Sequence, residues 1–227
     1  MKTLKNCLKF PRLIDIHTHQ LNSSDFFIEN VDVRGAGKWQ APRHFFSVGI
    51  HPWSVSGEIQ EETWTRLRQL AEKENCLAVG EAGLDRAKGA DLELQMEVFE
   101  RQVRLSEELK KPMIIHCVRA YSDILSVKKR LKARQVWIIH GFQGNVSIMT
   151  QLLKHTVFLS FGPFIFRPKV ESVFMKCPLD RIFFETDDQS EYSIEDLYVA
   201  ASRLRKMETE ELIRTVFSTF ESVFCSG

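Results

Sequence analysis

Short apolar runs alternate with amphipathic stretches along most of the chain. The runs cover 13–19, 45–51, 77–81, 113–116, 136–140, 157–161 and 182–187. They are rich in Val, Ile and Phe and too short for helices, which predicts strands buried on both faces of a parallel sheet. The segments between them carry helical periodicity. Trp64, Leu67 and Ala71 share one face, as do Met96, Phe99 and Val103, and Leu212, Val216, Phe217 and Phe220 form a closing stripe. Leu125, Lys128 and Leu131 mark a less cleanly patterned helix. Ser193 followed by Asp196 predicts a capping box that opens the penultimate helix.

The predicted strands end at 19, 51, 81, 116, 140, 161 and 187, so successive ends lie 21 to 35 residues apart. That is the length of a strand–helix–strand step. Seven such strands predict an α/β protein with a TIM-type (β/α) barrel, as one domain over 1–227. An open doubly wound sheet is the rival, but neither GxGxxG nor GxxxxGK[ST] occurs in the chain.

Composition narrows the class. Hydrophobic residues make up 44% and charged residues 27%, a globular balance, and the net charge is +1. Near-neutrality gives no global field for a polyanion, so contact with nucleic acid would rest on a local patch. The basic stretch 128–134 reads as the solvated face of a helix. No run is long and apolar enough for a membrane span, and 1–10 lacks the apolar core of a signal peptide. Cys7, Cys76, Cys117, Cys177 and Cys225 are scattered and never form a CxxC pair. Reduced thiols and a cytoplasmic location are expected, with neither membrane nor protein partner.

The chemistry lies in how the strands end: His17-Thr18-His19, His51, Glu81, His116, His140 and Asp187. In a (β/α) barrel the C-terminal strand ends face one rim, where active sites are built. Taken singly, each histidine fits a core or rim position as readily as a ligand, and Arg86 is an alternative partner for Glu81. Asp15 shares the side of His17 and His19, where it could orient an imidazole. Taken together, four histidines and two carboxylates on one rim can supply two divalent ions with one carboxylate bridging.

These segments resemble the TatD-type metal-dependent hydrolases, deoxyribonuclease-like members of the amidohydrolase superfamily. The matching motifs are Asp15-Ile16-His17-Thr18-His19, Gly49-Ile50-His51-Pro52, Gly80-Glu81-Ala82-Gly83-Leu84-Asp85, His116 after Pro112, His140-Gly141-Phe142-Gln143-Gly144 and Glu185-Thr186-Asp187. The resemblance implies one or two divalent ions of Zn, Mn or Mg type. His17, His19, Glu81 and Asp187 would hold one ion, and Glu81, His116 and His140 the other. It also implies that Asp187 and Glu81 are catalytic, with Asp187 orienting or deprotonating the attacking water. His51, Arg119 and Arg167 would contact substrate, and the segment from Ser160 to Phe164 would line the rim.

Four departures from the family pattern stand out. The step from His19 to His51 is short, so one βα unit is expected to be reduced or missing. Val118 and then Arg119 stand where the family places arginine two residues after its histidine. Asp188-Gln189 replaces a small residue and proline, and the tail after Asp187 is short. The expected activity is a divalent-metal-dependent hydrolase, foremost a deoxyribonuclease cleaving phosphodiester bonds. The alternative is hydrolysis of a small-molecule phosphoester, lactone or amide, so the partner is DNA or a small phosphorylated substrate. A non-catalytic barrel is the third reading.

Overall fold

A computed structural model describes residues 10–21, 26–35, 41–189 and 191–225. Eight strands follow one another in chain order in a single sheet. They are β1 (Asp15–Thr18), β2 (Phe27–Asp32), β3 (Phe46–Gly49), β4 (Cys76–Asp85), β5 (Met113–Val118), β6 (Trp137–Ile139), β7 (Val157–Phe161) and β8 (Ile182–Phe184). Seven of them match the predicted runs. The eighth, β2, was not anticipated, because only two of its six residues are buried and Glu29, Asn30 and Asp32 interrupt its apolar positions. Among the described residues no helix separates β1 from β2 or β2 from β3; the expectation of a reduced or missing βα unit there falls partly on residues outside those described. Helices α1 (Glu61–Ala71), α2 (Leu92–Leu109), α3 (Tyr121–Arg130), α4 (Val146–Leu153), α5 (Pro168–Phe174), α6 (Ile194–Arg205) and α7 (Thr209–Phe224) fill the other connections and the C-terminus. No helix among the described residues is long and apolar enough to cross a membrane.

The described residues fall into two compact units, one up to Glu29 and again from Ile139, the other Asn30–Ile138. In the first unit β1 is buried throughout and pairs in parallel with β2, Asp15 opposite Phe27. β7 and β8 pair in parallel with Leu159 opposite Ile182. Past Phe184 the chain runs beside β1, where Asp187 N–H donates to His17 O and His19 N–H donates to Asp187 O, both at 3.0 Å. Tyr198 of α6 is fully buried and its hydroxyl lies 3.3 Å from both Ile14 N and Ile14 O, tying that helix to the start of β1. The capping box at Ser193 and Asp196 forms as its sequence predicts. Leu212, Val216, Phe217 and Phe220 are buried on α7, with Phe220 edge-on to Phe26 at 5.0 Å.

In the second unit β4 is buried along all ten residues and pairs in parallel with β3 and β5. It runs four residues beyond Glu81, the expected end. Gly83 permits this continuation: a Cβ there would lie 2.0 Å from His116 O, so only glycine lets the two backbones approach. On α2, Gln95 and Gln102 are buried and bond backbone in place of filling the core apolarly. Gln102 accepts from Ile50 N–H and donates to Ile50 O, at 2.8 and 3.1 Å. Gln95 accepts from Asp85 N–H at 2.8 Å and donates to Asp85 O at 3.0 Å. The basic stretch is not uniformly solvated. Lys128 turns inward, 4% exposed, donating to Gln135 O at 2.8 Å with its ammonium 4.3 Å from the Trp137 ring centre. The described cysteines, Cys76, Cys117, Cys177 and Cys225, are free and buried.

Candidate metal centre

The first unit gathers His17, His19, His140, Glu185 and Asp187. His17 and His19 are two apart on β1 and its continuation, so their rings leave the same side of the chain. Each places Nε2 3.5 Å from the same oxygen, Asp187 Oδ1. Their rings meet edge-on at 5.2 Å. Asp187 adopts φ of 55°, the left-handed region that Asp tolerates better than most residues. That turn sets its carboxylate against the two imidazoles while its backbone stays bonded to β1. The His140 ring lies 4.4 Å from that of His17, and its Nδ1 is 3.5 Å from Glu185 Oε1, which takes the Gly141 N–H at 2.5 Å. His17, His19 and Asp187 form one constellation able to hold a metal ion, and His140, Glu185 and Asp187 another. Asp15 receives Thr186, accepting its N–H at 3.1 Å and its hydroxyl at 2.6 Å, and so braces the chain just before Asp187.

The second unit gathers His51, Glu81 and His116. Glu81 Oε1 lies 3.0 Å from His51 Nε2 and 2.8 Å from His116 Nδ1. Behind His116, Nε2 lies 3.0 Å from Asp85 Oδ2. Burial works to raise the Asp85 pKa, but hydrogen bonds from Trp53, His116 and the Ala87 N–H outweigh it, so Asp85 stays below the usual carboxylate range. The Asp85 carboxylate holds the His116 ring by Nε2 and leaves Nδ1 turned toward Glu81. An imidazole nitrogen and a carboxylate oxygen thus face each other at 2.8 Å, a pair of donor atoms that a divalent ion can share. Mixed imidazole and carboxylate donors suit Zn, Mn, Co or Mg, so both clusters fit divalent metal.

His51 behaves differently. Its Nδ1 accepts the Trp53 backbone N–H at 3.1 Å, so the neutral ring carries its proton on Nε2. Its Nε2 faces Glu81 Oε1 and lies 3.3 Å from His116 Nδ1, so the structure places His51 within the second constellation able to hold a metal ion. Arg86 is no partner of Glu81, since its guanidinium pairs with Asp123 through two bonds of 2.9 Å. Glu81 is instead fixed by Asn30, whose Oδ1 accepts the Glu81 N–H at 2.7 Å and whose Nδ2 lies 3.4 Å from Glu81 Oε2. Sequence reasoning missed Asn30 because it missed β2. It quoted Asp85 within a motif and gave it no role.

Arg119 follows β5 and Arg167 caps α5; both are exposed and neither forms an ion pair among the described residues. Arg119 sits at φ of 54°, and the Arg167 guanidinium lies 4.0 Å from the Phe164 ring centre. Ser160 and Phe161 do not line a rim: both are buried in β7.

Comparison with known proteins places this geometry. The chain is 32% identical over 148 residues to the uncharacterized metal-dependent hydrolase YabD of Bacillus subtilis, covering 63% of this chain and 58% of that one. It is 32% identical over 158 residues to the 3'-5' ssDNA/RNA exonuclease TatD of Erwinia tasmaniensis, covering 65% and 60%. The chain thus spans less than two thirds of the length of these relatives. The crystal structure of YJJV, a TatD homolog from Escherichia coli, superposes with a TM-score of 0.78 at 20% identity over 96% of this chain and 99% of that one. That likeness establishes the fold as a TIM-type (β/α) barrel with parallel strands. The family model described as TatD related DNase matches residues 33–225, which takes in Glu81, His116, His140 and Asp187 and begins after His17 and His19. By that match the chain belongs to the TatD-related DNase family.

Proposed function

We propose that the chain is a divalent-metal-dependent hydrolase, deoxyribonuclease-like, that cleaves phosphodiester bonds of nucleic acid with an activated water. The observation that carries this is the convergence of imidazole and carboxylate donors at strand ends in each unit. The activity named for the Erwinia relative agrees with it. In this reading His17, His19 and Asp187 are ligands in one cluster and Glu81 and His116 in the other, with His140 a further ligand. Divalent ions held there supply Lewis acidity toward a phosphate oxygen and ease the loss of a proton from water.

The chain's own groups do the rest. Asp187, with 30% of its side chain exposed, orients the attacking water and accepts its proton. His51 offers its Nε2–H to a non-bridging phosphate oxygen. Arg119 and Arg167 are exposed cations that meet flanking phosphates.

The test is Mg- or Mn-dependent nucleotide release from end-labelled single-stranded DNA, with wild type beside Asp187→Asn. Wild type should release nucleotides and the variant should do so at least about 100-fold more slowly. No release from fully metallated wild type would overturn the phosphodiester reading and favour a small-molecule phosphoester, lactone or amide as substrate.

A further inference from the structure

Trp53 is 47% exposed, whereas Trp64 and Trp137 are buried. Leaving an indole in water forfeits a large hydrophobic gain, and this one is nevertheless firmly held. It lies in the short 3-10 helix Pro52–Ser54 after β3, and its Nε1–H donates to Asp85 Oδ2 at 2.6 Å. Its ring meets those of His51 and His116 edge-to-face at 4.8 and 5.5 Å. The Lys88 ammonium lies 3.5 Å from its ring centre. A fixed, solvent-facing aromatic thus adjoins the His51–Glu81–His116 cluster, with a lysine ammonium on its face. Bases stack on such a surface without regard to sequence, because every base has a π-face.

We propose that Trp53 is a stacking platform for the nucleobase of the nucleotide whose phosphate lies at the His51–Glu81–His116 cluster. The inference rests on the nucleic-acid reading above and assigns a subsite within it. The base takes the ring face now shared with Lys88, and the long lysine side chain swings to the phosphate as its counter-charge. Only an unstacked base can reach the ring, so single strands are preferred.

The experiment compares a short phosphorothioate-protected single strand with the same strand made abasic at either terminal nucleotide, each binding to Mg-loaded protein. Wild type should bind the intact strand roughly 5- to 150-fold more tightly than one of the abasic strands. Trp53→Leu should bind both alike, and Trp53→Phe, which keeps an aromatic face but also loses the bond to Asp85, should keep part of the ratio. A full ratio in Trp53→Leu would overturn the proposal, as would equal binding of intact and abasic strands by wild type. Should Trp53→Leu fail to fold or to hold metal, the indole fluorescence of metal-loaded wild type decides, compared between the intact and the abasic strand. The intact strand should quench it and the abasic strand should not; equal quenching overturns the platform. Metal-loaded wild type that neither binds nor cleaves any strand would instead sink the nucleic-acid reading itself.

Discussion

Asp85 holds His116 from behind, its Oδ2 lying 3.0 Å from Nε2 on the side of the ring away from Glu81. Two backbone N–H groups, from Ala87 and Lys88, fix the other Asp85 oxygen at 2.7 and 3.0 Å. The ring is thereby set in orientation. Asp85→Asn should weaken divalent-metal binding about 10- to 100-fold, read by calorimetric titration of Mn or Zn. Unchanged affinity would mean that packing alone orients His116.

Metal counting separates the carboxylates. Glu81→Ala deprives His51 and His116 of the oxygen they share, so bound metal per chain should fall. The family resemblance makes Glu81 common to both ions and predicts the loss of both, whereas loss of one would confine Glu81 to its own cluster. Asp187→Asn keeps a residue that tolerates the left-handed backbone and should retain most of its metal while losing turnover. Elemental analysis of the two variants beside wild type reads this directly, and equal losses would contradict the division of roles.

Gly49 ends β3 against the backbone of Glu81. A Cβ there would lie 2.5 Å from Glu81 O, with no flexible side chain able to yield. Gly49→Ala should cost about 1–3 kcal/mol of stability and displace Glu81. A lowered urea midpoint together with weakened metal binding is expected. An unchanged midpoint would mean that β3 and β4 separate without cost.

Burial pulls the Lys128 amine down to about 8, against the opposing charge of Glu107. Between about pH 8 and the unfolded value near 10.4, the unfolded chain binds a proton that the native state lacks. Stability from this group therefore rises with pH across that window, by at most about 3 kcal/mol before solvent screening, and is flat below it. Buried Cys76, Cys117 and Cys177, whose thiols are pushed up to about 11, 12 and 12, act in the opposite direction. The readout is therefore the difference in urea midpoint between wild type and Lys128→Met, followed from about pH 7 to about pH 10. Wild type should gain on the variant as pH rises; a constant gap would place the amine in water.

What was legible in the chain follows from burial. Strands buried on both faces announce themselves as apolar runs, so β5, β7 and β8 stood out, and the polar residues closing such runs were conspicuous by contrast. That contrast singled out His17, Glu81, His116, His140 and Asp187. β2 escaped because Glu29, Asn30 and Asp32 interrupt it, and with it went Asn30, the residue that fixes Glu81. The buried positions of β2 are Ile28 and Asn30, so its apolar residues do not alternate and the sequence carries no period-two signal there. Lys128 escaped because charge in a basic stretch reads as solvent-facing, and sequence cannot reveal a carbonyl waiting at Gln135. Tautomers were out of reach as well, since His51 and His116 differ only in what stands behind each ring.

Asp187 is stitched into the β1 ladder by its own N–H and carbonyl, so the placement of its carboxylate is inherited from the sheet and not from the loop that follows. Exchanges at Asp188 and Gln189 then leave that backbone anchoring in place. If Asp187 is the water-activating group proposed above, changes of substrate can accumulate in that loop while it stays put, which separates the history of the chemistry from the history of its specificity.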